Sequence, residues 1–145
     1  MTITIRAARS EDLAVVEGLL VEAKLPVGGL GDQFPSSYFV VEDGSELIGA
    51  AGLEAYAGHG LLRSVVVRAD RRGSGVGRAV MERVLQSARD QELHGVYLLT
   101  QTAPEYFRRL GFFGYPRGDA PDAVQKSPEF ASVCPSTATC MRWTA

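Results

Sequence analysis

Residues 61–85 read LLRSVVVRADRRGSGVGRAVMERVL, and the rest of the chain is understood from this stretch. Its apolar start, with Val65, Val66 and Val67, predicts a strand. A short polar turn follows, then a loop with three glycines, Gly73, Gly75 and Gly77, which opens an amphipathic helix. On that helix Val76, Val80, Val84 and Ala88 recur at helical spacing, with Met81 and Leu85 beside them. A loop without side chains at alternate positions lets several backbone N–H groups approach one anion, and the helix N-terminus behind it adds a favourable dipole. Strand, glycine loop and helix in this order describe a diphosphate site.

Spacing separates the phosphate loops that compete for this pattern. A triphosphate loop requires GxxxxGK[ST], but Gly77 is followed by Arg78 and no lysine stands in reach. A dinucleotide fingerprint requires GxGxxG, and the third glycine is missing at its offset. What remains is [Q/R]xxGxG, read from Arg72 to Gly77 as RGSGVG behind a valine strand. This resembles the acetyl-CoA loop of the GNAT acetyltransferase superfamily. Members of that family follow the loop and helix with a strand and a short helix ending in FYxxxGF. GVYLLT at 95–100 and APEYFRRLGF at 103–112 occupy those places, so the resemblance runs from residue 2 to residue 113.

The resemblance implies a single α+β domain over residues 1–145, with a mixed, mostly antiparallel central sheet, one splayed strand pair and flanking helices. It implies acetyl-CoA as co-substrate. Backbone groups at Val65, Val66 and Val67 would bond the pantetheine arm lying in the splay. Amides of Arg72, Gly73, Ser74, Gly75, Val76, Gly77 and Arg78 would hold the diphosphate, with charge-assisted contacts from the two arginines. Thr100 replaces an asparagine often found at the end of the next strand, and its hydroxyl is a further expected cofactor contact.

Direct transfer to an amine needs a base for the substrate ammonium and a proton for the departing thiolate. Glu54, mid-strand in GLEAY, is the first candidate base, since a carboxylate there is costly to bury without a partner or a task. A solvated outward face is the alternative. Arg63, embedded in LLRSV, has the forked guanidinium that suits an acceptor carboxylate, phosphinate or arsinate; an ion pair with Glu54 across the hairpin is the alternative. The tyrosine that usually serves the family as acid is replaced by Phe107. Tyr106 is next to it but about 100° around the helix, and it is a candidate acid, facing either core or cleft, with water as the alternative proton source. His59 in a turn, His94 at a helix end, and Cys134 and Cys140 without histidines at zinc spacing are secondary candidates, and no metal site is expected. The two cysteines would be soft ligands for an arsenical, or thiols packed in a last strand.

Around this centre the pattern predicts a first strand at 2–6, then a helix with Ser10 as N-cap and Leu13, Val16, Leu19, Leu20 and Ala23 on one face, ending near Leu25-Pro26. A glycine-interrupted segment, 27–34, is expected to lie over a substrate cleft. Strands at 37–42 and 46–56 read as a hairpin turning at Asp43-Gly44, and a Gly58-His59-Gly60 turn leads to the next strand. Thr102 to Glu105 reads as a capping box, Gly111 as the closing C′ residue and 138–143 as the last strand.

Composition agrees with one cofactor-dependent domain. The chain has 145 residues, 46% hydrophobic, with net charge −2, so no concentrated basic face points to nucleic acid. No apolar run approaches membrane-spanning length and no signal peptide is recognised, so a cytoplasmic location and no membrane partner are expected. Within the superfamily, LP at 25–26, GL at 29–30, GLE at 52–54, LLRS at 61–64, YLLT at 97–100 and CP at 134–135 resemble the arsenic-resistance-associated N-acetyltransferases. That branch implies a small amine acceptor, such as an amino-acid-like toxin bearing a phosphinate or arsinate group. A protein lysine or N-terminus, or acyl-CoA binding without turnover, are the alternatives. Oligomeric state is not written in these residues, although many relatives pair as homodimers.

Overall fold

The sheet is built by β1 (Ile3–Ala7), β2 (Tyr38–Asp43), β3 (Glu46–Tyr56), β4 (His59–Val67), β5 (Val96–Thr100), β6 (Phe113–Gly114) and β7 (Thr139–Trp143) in the order β1-β2-β3-β4-β5-β7-β6. The computed structural model describes residues 3–28, 30, 34–133 and 135–145. Neighbouring strands are antiparallel except β4 and β5, which run parallel and pair only at Gly60 with Val96 and Leu61 with Tyr97. Past Leu61 the two strands part, and the sheet opens between them. The expected mixed, mostly antiparallel sheet with one splayed pair is therefore what the chain forms.

Helix α2 (Val76–Asp90) buries Val76, Val80, Met81, Val84, Leu85 and Ala88 on one face of the sheet against Val41, Ile48, Leu62 and Leu98. At about 1.5–3 kcal/mol for each large apolar side chain, this stripe holds the helix that carries the glycine loop. α3 (Pro104–Arg109) packs Phe107 into the same cluster. The opposite face is divided. α1 (Leu13–Glu22) covers Val40, Ala50 and Val66, while α4 (Asp122–Gln125) and the turn at Glu129–Val133 cover Leu61, Tyr97 and Leu99. The splay lies at the seam between these two halves.

β4 changes face partway along. Ala50 pairs with Val66 but Gly52 pairs with Arg63, so β4 carries one extra residue, and Ser64 takes it up at φ 59°. This bulge turns Leu62, Val65 and Val67 toward α2, and Leu61 and Val66 to the other side.

Several local expectations are corrected. Ser10 caps nothing. It lies in a single 3₁₀ turn, Ser10–Asp12, and the Asp12 carboxylate instead accepts the Arg9 N–H at 2.8 Å. α1 ends at Glu22, not at Leu25-Pro26, because Lys24 turns left-handed at φ 60° and Leu25 N–H returns to the Leu20 carbonyl. The β3–β4 turn is Ala57-Gly58, both at positive φ, and His59 already belongs to β4. No Thr102 capping box forms; the Thr100 hydroxyl accepts the Ala103 N–H at 3.1 Å and starts α3. Gly111 does close α3 at φ 99°, with Phe112 N–H bonded to the Phe107 carbonyl. Thr2, Gly29, Gly31 and Cys134 lie outside the described residues.

Candidate active site

A cavity of about 800 Å³ occupies the splay. Its wall on one side is the glycine loop with α3; on the other it is the segment 23–26 after α1, together with Glu129, and β4 and the end of β5 run between. The cavity thus joins the two faces of the sheet, bringing an anion cradle and a buried charge cluster into one space.

The cradle is open. Gly73 at φ 79° and Gly75 at φ 90° adopt backbone that side-chain-bearing residues resist, and a Cβ at either would meet nothing within 4 Å. Gly75 is the N-cap of α2 and no side chain caps that end, so the N–H groups of the first turn are left for a ligand. Arg72 lies along the groove with its Nε donating to the Val67 carbonyl at 3.0 Å. Arg78 is exposed beside Glu82, 3.3 Å away. Val65, Val66, Val67 and Thr100 line the cavity, and Ser74 donates its hydroxyl to the Arg71 carbonyl and braces the loop. Donor-rich backbone, arginines and a strand edge suit a phosphorylated, amide-bearing arm such as that of acetyl-CoA. When bound, acetyl-CoA supplies the acetyl group.

Tyr106 reaches this end of the cavity. Its hydroxyl lies 2.8 Å from where a Cβ on Gly77 would stand, so it is seated against the first turn of α2. Burial raises its phenol above the ordinary value, with Arg78 opposing, so it remains protonated. Phe107 is in the core below, edge-on to Phe112 with ring centroids 5.8 Å apart.

The charged end is built around Arg63, 3% exposed. Its Nη2 donates to the Gly28 carbonyl at 2.7 Å, its Nε faces Glu129 at 3.5 Å, and its Nη1 stands 4.0 Å from Glu54 without a hydrogen-bond partner among the described residues. Glu54, 1% exposed, accepts hydrogen bonds from Tyr38 at 2.9 Å and Tyr56 at 2.8 Å. Burial, then the Glu54 charge, pushes the Tyr38 phenol well above its usual range, so it serves as a permanent donor. Gly52 permits this bond, because a Cβ there would stand 2.3 Å from the Tyr38 ring. Glu54 and Arg63 are thus brought together as an ion pair, but Glu54 is absent from the cavity wall.

Glu129 was missed by sequence reasoning. It lines the cavity at 4% exposure, and its only sequence signal is a lone acid between Pro128 and Phe130. Arg109 on α3, also in the wall, was missed too. His59 and His94 meet at 5.3 Å at the closed end of the β4–β5 pair and do not line the cavity. Cys140 is buried in β7 with its thiol pushed up to about 11 by desolvation, and it too is absent from the wall. No group of three metal-ligating side chains occurs among the described residues. No helix among them is long and apolar enough to cross a membrane.

Known proteins share this fold. Residues 35–112, more than half of the chain, match the model of the acetyltransferase (GNAT) domain. N-acetylglutamate synthase from Neisseria gonorrhoeae, solved with coenzyme A and N-acetyl-glutamate, superposes with a TM-score of 0.84 at 18% identity, over 99% of this chain and 35% of that one. The chain therefore spans about a third of the length of that enzyme. Rv2747 from Mycobacterium tuberculosis, solved in complex with CoA, gives 0.80 at 22% identity over 98% of this chain and 99% of that one. The ribosomal-protein-S18-alanine N-acetyltransferase of Escherichia coli gives 0.74 at 15% identity, with 99% and 94% covered. With the family model spanning more than half of the chain, a glycine cradle facing a parted strand pair is no isolated coincidence of sequence: the chain belongs to the GNAT acetyltransferase family.

Proposed function

We propose that this enzyme acetylates the amine of a small molecule that also carries an oxyanion, an amino acid or an analogue of one. The observation that carries this reading is the Arg63 Nη1, a buried guanidinium nitrogen in the wall of the acceptor end with no hydrogen-bond partner among the described residues. A buried donor left unsatisfied costs about 1–3 kcal/mol, and a ligand oxygen would relieve it. A carboxylate, phosphinate or arsinate fits a guanidinium fork; a bare alkylamine brings nothing to it. The words shared with the arsenic-resistance-associated branch support an amino-acid-like phosphinate or arsinate as the finer substrate class.

In this reading the residues from Arg72 to Arg78 hold the diphosphate, Val65 to Val67 offer backbone to the pantetheine arm, and Tyr106 bonds near the phosphates instead of protonating the thiolate. Thr100 accepts the Ala103 N–H and keeps its hydroxyl proton for the arm. Glu54, held by two tyrosines, is read as the group that positions Arg63.

A thiol-release assay tests this with glycine, L-glutamate, an aminoalkyl phosphinate, an aminoalkyl arsinate, simple alkylamines and an alanine-led peptide. Release that is fastest with the oxyanion-bearing amines is expected. Preference for the peptide, as the name of the Escherichia coli neighbour suggests for that protein, overturns the proposal, as does preference for plain alkylamines.

A further inference from the structure

We propose that Glu129 is the carboxylate that meets the acceptor: it holds the substrate ammonium and takes its proton. This rests on the small-amine reading above and adds to it the group that prepares the nucleophile. Three observations carry it.

The first is position. Of the two carboxylates beside Arg63, Glu129 lines the cavity and Glu54 does not. Glu54 is occupied by the hydroxyls of Tyr38 and Tyr56, so a substrate N–H would have to displace a tyrosine to reach it.

The second is charge. The Arg63 Nε lies 3.5 Å from Glu129, and both residues line the cavity, so a guanidinium that can take an oxyanion and a carboxylate that can take an ammonium adjoin in one space. A zwitterionic acceptor would set each of its charges beside an opposite one.

The third is support. Glu129 opens a π-helical turn, Glu129–Val133. On its N-terminal side the Ser127 hydroxyl donates to the Val124 carbonyl at 2.6 Å and accepts the Phe130 N–H at 3.3 Å. On its C-terminal side the Phe130 ring is buried against Leu61 and Tyr97, and Arg117 donates to the Phe130 carbonyl at 2.8 Å. A carboxylate on so braced a backbone keeps its place, as general base catalysis requires. Wide turns of this kind are frequently found at functional sites.

One ammonium N–H bond breaks, its proton goes to a Glu129 oxygen and the electron pair stays on nitrogen. That nitrogen bonds the acetyl carbon as the carbon–sulfur bond breaks, and a second nitrogen proton leaves with the sulfur as thiol. Glu129 returns its proton to water, so the sum is one amide, one thiol and one proton.

The test compares Glu129→Gln, Glu129→Asp and Glu54→Gln with the unaltered chain, using the fastest amine of the panel. The charged and ionisable groups facing Glu129 include Arg63 and, behind it, Glu54 with Tyr38 and Tyr56; Lys24, Arg72, Arg78 and Arg109 line the same cavity. Glu129→Gln should lower kcat/KM at neutral pH roughly 100- to 10,000-fold. Its rate should then climb tenfold per pH unit toward the amine's own pKa, because only free amine taken from solution reacts. Glu129→Asp should recover part of the loss, and Glu54→Gln should lower the rate without adding that slope.

Calorimetry on CoA-saturated protein, where no transfer can occur, gives a readout apart from activity. Affinity for the same amine, with L-glutamate tried first, should fall at least tenfold in Glu129→Gln while CoA affinity stays within twofold. A pH profile for Glu129→Gln parallel to that of the unaltered chain overturns the role of Glu129 alone. The steep slope appearing in Glu54→Gln instead returns the role to Glu54. An unaltered enzyme silent toward every small amine overturns the small-amine reading, and this inference with it.

Discussion

At the scale of single residues, the site depends on places where a side chain is absent. Gly75 is the clearest. Its φ of 90° strains any other residue, yet the space before it is open, so what a side chain would obstruct there is the ligand and not the protein. Gly75→Glu should therefore fold and lose CoA binding by 100-fold or more, since a carboxylate would occupy the diphosphate position with like charge. Calorimetry with CoA checks this, and retained affinity would remove the loop assignment. Gly52 acts in the opposite way, because its missing Cβ is filled by the Tyr38 ring. Gly52→Ala should push Tyr38 off Glu54 and cost about 1–3 kcal/mol in chemical denaturation, through overpacking and an unsatisfied buried carboxylate. The first glycine was legible in the sequence because its motif is local. The second was not, since its reason is a tyrosine fourteen positions earlier that only strand pairing brings across. Glu54 and Arg63 were legible as charges out of place in apolar strands; their partners Tyr38 and Glu129 were not.

At the scale of elements, strands and helices followed from periodicity, and the errors gathered at their ends. Three helices close with the same backbone turn, Leu25 N–H to Leu20, Leu93 N–H to Ala88 and Phe112 N–H to Phe107, but the left-handed residue is Lys24, Glu92 or Gly111. Only the glycine announces itself in sequence, which is why the end of α1 was expected several residues late. The bulge in β4 is hidden for the same reason, since serine at φ 59° leaves no trace in an apolar run. Yet this one residue sets which side chains of β4 face α2 and which face the charged end. Ser64→Val places a β-branched residue in left-handed backbone, and the cheapest escape is to lose the bulge. It should lower stability by about 1–2 kcal/mol and weaken CoA binding about tenfold, because the register of Val65 to Val67 along the splay would shift. Ser64→Gly, which keeps the backbone, should bind CoA like the unaltered chain. Thermal denaturation and calorimetry on the pair separate a role for the bulge from a role for the hydroxyl; equal CoA affinity in both variants would show that the splay does not depend on it.

At the scale of the whole molecule, acid should weaken the fold in two steps, one at the edge of the sheet and one at its central strand. His59 sits at the closed end of the β4–β5 pair, and burial, then His94 and Arg142, lower its pKa below the ordinary value near 6.5. Its Nδ1 is buried without a hydrogen-bond partner among the described residues. A histidine kept neutral by the fold contributes stability in full above about pH 6.5, and loses it as pH falls through the lowered value. Asp12 ties the start of α1 to β1, accepting from Arg6 at 2.8 and 3.1 Å and from the Arg9 N–H. Those arginine hydrogen bonds, opposed by burial, hold its carboxyl below the ordinary value near 4. Its contribution is complete above that value and disappears only as pH falls through the depressed one. Thermal midpoints plotted against pH should thus be flat above neutrality, dip through a shoulder below pH 6.5, and fall steeply below pH 4. His59→Gln should erase the shoulder and leave the steep limb. Asp12→Asn should lower the plateau by about 1.5–3 kcal/mol, as expected for hydrogen bonds to a charged group, and flatten the steep limb while keeping the shoulder. Arg6 would retain Glu42, 2.8 Å away, so the strand end should stay folded at neutral pH. Variants whose curves merely shift downward in parallel would show that neither group titrates with folding, and would place the acid sensitivity elsewhere.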